Sequence, residues 1–168
     1  MKILALDQAL VVSGWAVFCD GQLIAANKFE IPKSRRMERR LLDMYKRLTD
    51  LYHEYEFEAV YFEDIQLQAG NALTFKHLAY AQAAIIMWCG YMSIPWFTLA
   101  PSHWRKVLGG SFGRKRADQK RHAIDLVRDW YGVDVPSDVA DAICIGRAAI
   151  KEKRAEGENK IAFNDEKD

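Results

Sequence analysis

Cysteine, glycine and proline are scarce in this sequence, which has 3, 10 and 4 of them among 168 residues. The three cysteines lie far apart and form no C-x-x-C pair, which argues against a disulfide framework and against zinc and predicts a reducing compartment. The low glycine and proline content excludes a low-complexity chain. With 50% hydrophobic and 28% charged residues, the composition is typical of one folded domain.

Long hydrophobic runs are also absent. The most apolar stretch, residues 79–94, is interrupted by Gln82 and falls short of the roughly 20 residues that span a bilayer. The N-terminal residues have one lysine and a short apolar run that ends in an acid, with no small-residue cleavage site. We therefore expect a cytoplasmic protein with no membrane contact.

Charge of one sign does not dominate, since 24 lysines and arginines face 23 acids, but the charges are sorted along the chain. Residues 33–47 have seven basic side chains against two acidic ones, and residues 101–122 have seven against one. Residues 50–68 have six carboxylates and no lysine or arginine. Solvated faces could explain any one cluster. Together they favour acids that hold metal ions beside a polyanion.

Short apolar runs and turn signals predict five strands. The runs at residues 3–6 and 59–62 are typical of buried strands, and each ends in a carboxylate, Asp7 and Glu63. Asp20-Gly21 is a strong hairpin signal, and Pro95 indicates an edge strand. The predicted strands are residues 3–6, 13–18, 23–31, 59–62 and 94–99.

Helical periodicity separates and follows these strands. Apolar residues recur every three or four positions from Met37 to Tyr55, and the alanine-rich residues 71–92 predict a buried helix. The remaining helices are predicted at residues 101–108, 117–131 and 138–153. We expect a domain over residues 1–154 and a polar, frayed tail over residues 155–168.

The order of these elements predicts an α/β fold with a ligand site. A helix joins the first and fourth strands, so they should be parallel neighbours, while the hairpin leaves the first strand on its other side. This arrangement is a five-stranded mixed sheet of order 3-2-1-4-5 flanked by helices. Ligands bind at the carboxyl ends of strands where the winding reverses, and Asp7 and Glu63 lie there.

Two further acids begin the last predicted helix. Asp138 and Asp141 are three residues apart, so both lie on one face near the positive end of the helix dipole. Taken alone, such acids are most often turn formers or helix caps. If this helix packs near the first strand, however, four carboxylates converge, and only cations can neutralise them. Oxygen ligands select Mg²⁺ or Mn²⁺.

Five segments together resemble a known family, the RuvC-type Holliday junction resolvases, which have the RNase H-like fold. The resemblance covers about residues 1 to 150, and the short Y-F-E-D-I-Q motif is more like the phage or viral branch than the cellular one. The matching segments are L-A-L-D-Q-A-L-V-V-S-G-W-A-V (4–17), Y-F-E-D-I-Q (61–66), A-P-S-H-W-R-K-V-L-G (100–109), K-R-H-A-I-D-L-V (120–127) and S-D-V-A-D-A-I-C-I-G (137–146).

The resemblance implies a homodimeric, metal-dependent endonuclease that resolves four-way DNA junctions by paired symmetric nicks and leaves 5′-phosphate ends. No small-molecule substrate is expected, and a phage-encoded protein would act in the host cytoplasm. Two Mg²⁺ ions per site, with Mn²⁺ as a substitute, would activate water and stabilise the leaving oxygen. The catalytic and metal-binding residues would be Asp7, Glu63, Asp138 and Asp141, with Asp7 between the two ions.

Basic residues near the predicted site would contact DNA. The match to the family places Lys120 near the cut phosphate, and the glycine-rich loop suits backbone contacts that carry no sequence information. The predicted DNA-binding residues are Arg105, Lys106, Arg114, Lys115, Arg116, Lys120 and Arg121. Cellular members place an aromatic wedge three residues after the catalytic glutamate, where this chain has Gln66. Phe75, the nearest later aromatic, is expected to pack in the core.

Other functions fit parts of the same pattern. An RNase H-like nuclease for RNA or RNA–DNA hybrids would use the same acids, and a non-catalytic relative would bind junctions without cutting them. The first strand and hairpin also occur in actin-like ATPases and sugar kinases, but 168 residues leave no room for their second nucleotide-binding half. Activity on RNA–DNA hybrids would separate the first alternative from a junction resolvase.

Overall fold

The computed structural model describes residues 1–66, 71–110, 112–113 and 115–165, with side chains up to residue 154. Its elements follow the predicted order. The strands are β1 (Lys2–Asp7), β2 (Val12–Cys19), β3 (Gln22–Glu30), β4 (Ala59–Glu63) and β5 (Trp96–Leu99). The helices are α1 (Met37–Tyr55), α2 (Ala72–Met92), α3 (Pro101–Leu108), α4 (Arg116–Tyr131) and α5 (Ser137–Asp165).

The five strands form one mixed sheet in the order β3-β2-β1-β4-β5, as the sequence predicts. The pairs β1–β2 and β2–β3 are antiparallel, and the pairs β1–β4 and β4–β5 are parallel. Asp20 and Gly21 in the hairpin have φ values of 49° and 83°, the left-handed conformation that a two-residue hairpin turn requires. The strand pairing therefore changes from antiparallel to parallel at β1, as predicted. The carboxyl ends of β1 and β4 lie side by side as a result.

Helices cover both faces of the sheet, and β1 is buried between them. Ile3 and Ala5 point into a core shared with α3, α4 and α5. Leu4 and Leu6, the alternate residues, point into a second core formed with α1 and α2. A strand buried on both faces reads as a continuous apolar run, which is what the sequence shows before Asp7.

Two glycines allow α5 to lie directly on the sheet. A Cβ added to Gly146 of α5 would lie 2.2 Å from the Phe18 ring. A Cβ added to Gly14 of β2 would lie 1.8 Å from the backbone oxygen of Asp138. Real Cβ atoms do not approach other atoms this closely, so both positions need glycine. The contact at Gly14 brings the first turn of α5 to the end of β1, because Gly14 is the register partner of Asp7.

Three elements differ from their predictions. Strand β5 begins at Trp96 and not at residue 94, since Pro95 has no N–H to donate to the sheet. Helix α5 continues to Asp165, past the predicted end near residue 153, through a segment rich in good helix formers. The predicted division into residues 1–154 and 155–168 stays a prediction.

Helix α2 is the third element that differs from its prediction, because only one of its faces is buried. Its buried residues are Ala81, Ile85, Trp88 and Cys89. Met87 and Tyr91 on the other face are 73% and 78% exposed. Hydrophobicity all round the helix therefore predicted more burial than the fold provides. In the part of the chain that the structure describes, no helix is long and apolar enough to cross a membrane.

Candidate active site

Four carboxylates lie at or near the carboxyl end of β1. Asp7 ends β1, Glu63 ends the parallel neighbour β4, and Asp138 lies in the first turn of α5. Burial raises the pKa of Asp7 well above its usual range, and repulsion from Asp141, Glu63 and Asp138 raises it further. Lys120 acts in the opposite direction. The three other acids thus lie close enough to Asp7 to act on its charge.

Asp141 has the same kind of environment. Burial raises the pKa of Asp141 to about 7, and the negative charges of Glu63 and Asp138 add to the effect. The nearby positive charges of Lys120 and Arg105 lower the same pKa. Near neutral pH and without a cation, this cluster therefore holds protons that ordinary carboxylates would have lost.

Glu63 is bound at two of its atoms. Its carboxylate oxygen Oε2 accepts a hydrogen bond from Trp104 Nε1 at 3.2 Å, and its backbone oxygen accepts one from Gln8 Nε2 at 2.5 Å. Burial raises the pKa of Glu63, while the charge of Arg105, the hydrogen bond from Trp104 and the charge of Arg116 lower it. The negative charge of this partly buried carboxylate is therefore partly compensated.

Lys120 of α4 faces the start of α5. Its Nζ atom lies 3.6 Å from Asp138 Oδ1 and donates a hydrogen bond to Ser137 Oγ at 3.1 Å. Lys120 and Asp138 are both only partly exposed, so water screens their attraction less than it would screen a surface pair. This lysine supplies a positive charge at the rim of the carboxylate cluster.

The four side chains are of the chemical type that binds a hard divalent cation. All four groups are carboxylates, and burial raises the pKa values of Asp7, Glu63 and Asp141, so a cation would favour their charged forms. Among residues 1–66, 71–110, 112–113 and 115–154, however, no three His, Cys, Asp or Glu side chains are close enough together to hold an ion. A metal site at this cluster therefore stays a prediction, which rests on charge and ligand type.

Comparisons with known proteins agree with this arrangement. No family model matches the chain. It is 25% identical over 158 residues to a crossover junction endodeoxyribonuclease RuvC of Thermomicrobium roseum, covering 92% of this chain and 96% of the relative. It is 27% identical to the RuvC of Nitratidesulfovibrio vulgaris, covering 86% and 89%. The chain is thus similar to RuvC proteins along most of its length. The resemblance predicted from its motifs is confirmed, while the phage or viral branch stays a prediction.

Solved structures share the fold. The chain superposes on the T. thermophilus RuvC in complex with a Holliday junction substrate with a TM-score of 0.77 and 18% identity, covering 92% of this chain and 96% of that one. The Fowlpox virus resolvase in complex with Holliday junction DNA gives 0.56 and 15%, covering 90% and 98%. The RNase H-like fold predicted from the sequence is therefore confirmed.

The predicted DNA-binding residues fall into two groups. Arg105, Arg116 and Lys120 lie close enough to influence the pKa of at least one of the acids. Lys106, Lys115 and Arg121 are exposed on α3, just before α4 and on α4. Arg114 lies outside the described residues. Their contacts with DNA stay predictions, and so do the catalytic roles of the four acids.

Sequence reasoning missed three residues that shape the site. Gly14 carried a signal, since a glycine inside a strand often marks close approach of another backbone. Trp104 and Gln8 carried no such signal in the sequence. Their partner Glu63 is 41 residues from Trp104 and 55 residues from Gln8 along the chain. Gln66 is exposed and Phe75 is only partly buried, so Phe75 is packed less deeply than predicted.

Proposed function

We propose that this protein is a metal-dependent endonuclease that resolves Holliday junctions by paired symmetric nicks and leaves 5′-phosphate ends. The observation that carries this proposal is the cluster of Asp7, Glu63, Asp138 and Asp141, whose charges repel one another at the end of β1. The fold supports it, since structures that share this fold are described as complexes with Holliday junctions.

The four carboxylates are the proposed metal ligands and catalytic residues. Asp7 is central, because repulsion from each of the other three acids raises its pKa. Divalent ions, two Mg²⁺ or Mn²⁺ in this proposal, would activate the attacking water and stabilise charge on the leaving oxygen. The chain itself holds these acids in place through strand ends and one helix start, which are rigid parts of the fold.

The basic residues of α3 and α4 are the proposed phosphate contacts. Lys120 lies beside Asp138, so its ammonium group can contact a phosphate that reaches the carboxylates. Arg105 and Arg116 add positive charge near Glu63. Such contacts attract the DNA backbone but carry no sequence information. The full proposed set is Arg105, Lys106, Arg114, Lys115, Arg116, Lys120 and Arg121.

The activity can be tested with four labelled substrates: a four-way junction, a Y-shaped DNA, a linear duplex and an RNA–DNA hybrid, each with Mg²⁺. We expect paired nicks at symmetric positions of the junction and slow or no cleavage of the duplex. Because Gln66 stands where cellular relatives have an aromatic wedge, we also expect measurable cleavage of the Y-shaped DNA. Equal cleavage of duplex and junction would contradict the proposal, and preference for the hybrid would favour an RNase H activity.

Symmetric nicks require two active sites related by a two-fold axis, and the described residues of one chain hold one such cluster of acids. The exposed apolar face of α2 is the proposed contact with a second copy. Leu73, Tyr80, Met87 and Tyr91 recur at spacings of seven and four, so they share one side of the helix. Leu42 of α1 is also exposed, and it precedes by three residues Tyr45, whose ring centroid lies 6.3 Å from that of Tyr91.

We expect a dimer in light scattering at micromolar concentration, and we expect Met87→Lys to convert it to a monomer, since a charge would be buried in an apolar interface. Ile24→Lys is a matched control. Ile24 is 49% exposed on β3, on a different element, and its replacement should leave the dimer intact. A wild-type monomer, with and without junction DNA, would contradict the proposed interface.

A further inference from the structure

Trp104 lies at the centre of α3 with no exposed surface, and its indole N–H points at the carboxylate cluster. The indole Nε1 donates to Glu63 Oε2 at 3.2 Å. An indole N–H can only donate, so it cannot bind a metal ion. A carboxylate has two oxygens, and the hydrogen bond at Oε2 leaves Oε1 available for another partner.

The indole ring is held in place on several sides. The Phe112 ring packs edge-on against it, with 5.4 Å between the ring centroids. The Arg105 guanidinium carbon lies 4.7 Å from the centroid of the Trp104 ring. Helix α3 itself is fastened to α5, because Lys151 Nζ donates to the Val107 oxygen at 2.8 Å and His103 pairs with Glu152. The N–H therefore has a defined direction.

Glu63 is thus held at both its backbone and its side chain. Gln8, directly after Asp7, fixes the Glu63 backbone oxygen to the end of β1. Trp104 fixes one carboxylate oxygen from α3. A buried carboxylate with two free oxygens could rotate, whereas one with an oxygen occupied by a rigid donor has a restricted orientation.

We infer that Trp104 is a positioning residue that orients the Glu63 carboxylate and reserves Oε1 for a divalent cation. The inference rests on the proposed metal-dependent function. Trp104 acts through Glu63, and its buried ring contacts neither DNA nor the ion. Loss of such a group, which orients a ligand without binding the metal, typically weakens metal binding or activity by about 10-fold to 100-fold.

The first test is metal affinity without DNA, measured with Mn²⁺ by electron paramagnetic resonance. We expect Trp104→Phe to bind Mn²⁺ about tenfold more weakly. We also expect a similar loss in kcat for junction cleavage, with KM unchanged. In a Glu63→Gln background, Trp104→Phe should cause no further loss of Mn²⁺ affinity, since the two residues act as one unit.

Trp88→Phe is a matched control. Trp88 is equally buried, and its indole N–H also donates to a side chain, Thr49 Oγ1, at 3.0 Å. It lies in the core on the other face of the sheet, among α1 and α2. Its replacement removes the same atoms and one hydrogen bond, so it should lower stability but leave Mn²⁺ affinity unchanged. Equal loss of Mn²⁺ affinity in both variants would overturn the inference.

The second test needs no substitution of Trp104. The five tryptophans predict five indole N–H signals in a ¹H–¹⁵N spectrum. The Trp104 signal should shift on addition of Mg²⁺ and in Glu63→Gln, while the Trp88 signal should stay in place. An unmoved Trp104 signal in both experiments would overturn the inference, even if Trp104→Phe fails to fold.

The two proposals can fail separately. If the Trp104 signal and the Mn²⁺ affinities behave as expected but no junction is cut, the proposed function is wrong and the positioning of Glu63 stands. If junctions are cut and Trp104→Phe binds Mn²⁺ like the wild type, the inference about Trp104 is wrong and the proposed function stands.

Discussion

Asp7→Asn is expected to abolish junction cleavage while junction binding survives. The change keeps the shape of the side chain but removes one negative charge from the centre of the carboxylate cluster. Metal binding should weaken, and cleavage should fall at least about a hundredfold, because cations stabilise charge that develops in the transition state. Binding in the absence of metal should be unchanged or tighter, since fewer carboxylates repel phosphate. Gel-shift and cleavage assays on one labelled junction measure both effects.

Asp64→Asn is the matched control for this experiment. Asp64 follows Glu63 directly, but its Oδ1 accepts the N–H of Ile65 at 3.0 Å, so it caps its own loop. Its charge does not figure among the causes that raise the pKa of Asp7. Cleavage by Asp64→Asn should stay close to that of the wild type. Loss of cleavage in Asp64→Asn, with activity retained in Asp7→Asn, would contradict the proposed site.

Asp7→Asn should also change how the free energy of unfolding depends on pH. Asp141 has a pKa of about 7 in the folded protein and about 3.8 as an ordinary carboxyl group, so the folded state binds more protons between these values. Without metal, its contribution to stability is therefore present at low pH and is lost as pH rises from about 4 to about 7. Asp7→Asn should weaken the overall fall, because it removes the carboxyl group of Asp7, whose own pKa is raised by burial and by its acidic neighbours. Thermal melts at pH 5 and pH 8, with and without Mg²⁺, measure the effect, and Mg²⁺ should restore stability at pH 8.

Gly14→Ala is expected to destabilise the protein by about 3 kcal/mol, the upper end of what overpacking costs. The added Cβ would lie 1.8 Å from the Asp138 oxygen and 2.2 Å from its carbonyl carbon. Backbone lies on both sides of this contact, so α5 must move away from β2. Because that movement displaces Asp138, cleavage should fall as well. Urea unfolding measures the loss of stability.

Gly90→Ala tests whether the loss of stability comes from the close packing at Gly14 and not from replacing any glycine by alanine. Gly90 is exposed in α2, and a Cβ there would meet nothing within 4 Å. Alanine is a better helix former than glycine, so this change should stabilise the protein by about 0.5–1 kcal/mol. Similar unfolding curves for the two variants would show that α5 does not need Gly14 for its approach to the sheet.

The sequence by itself determined the strands, their order and the position of two acids. These predictions rest on local signals, which the folded chain retains. The signals are the apolar runs that end in Asp7 and Glu63, the Asp20-Gly21 turn and one helix between parallel strands. The rule for parallel crossovers then places both acids at one edge of the sheet. The helix predicted from residue 138 placed Asp138 and Asp141 on one face, because they are three residues apart.

Only the tertiary structure decided how these pieces meet. It brought Asp138 and Asp141 to β1 through the space left by Gly14, turned one face of α2 outward and placed the Trp104 indole on Glu63. Each of these depends on contacts between residues far apart in the chain, such as the 41 residues between Glu63 and Trp104. Periodicity and spacing report the burial and geometry of one segment. They do not predict the distance between two segments, because that distance is set by how side chains from both segments fill the space between them.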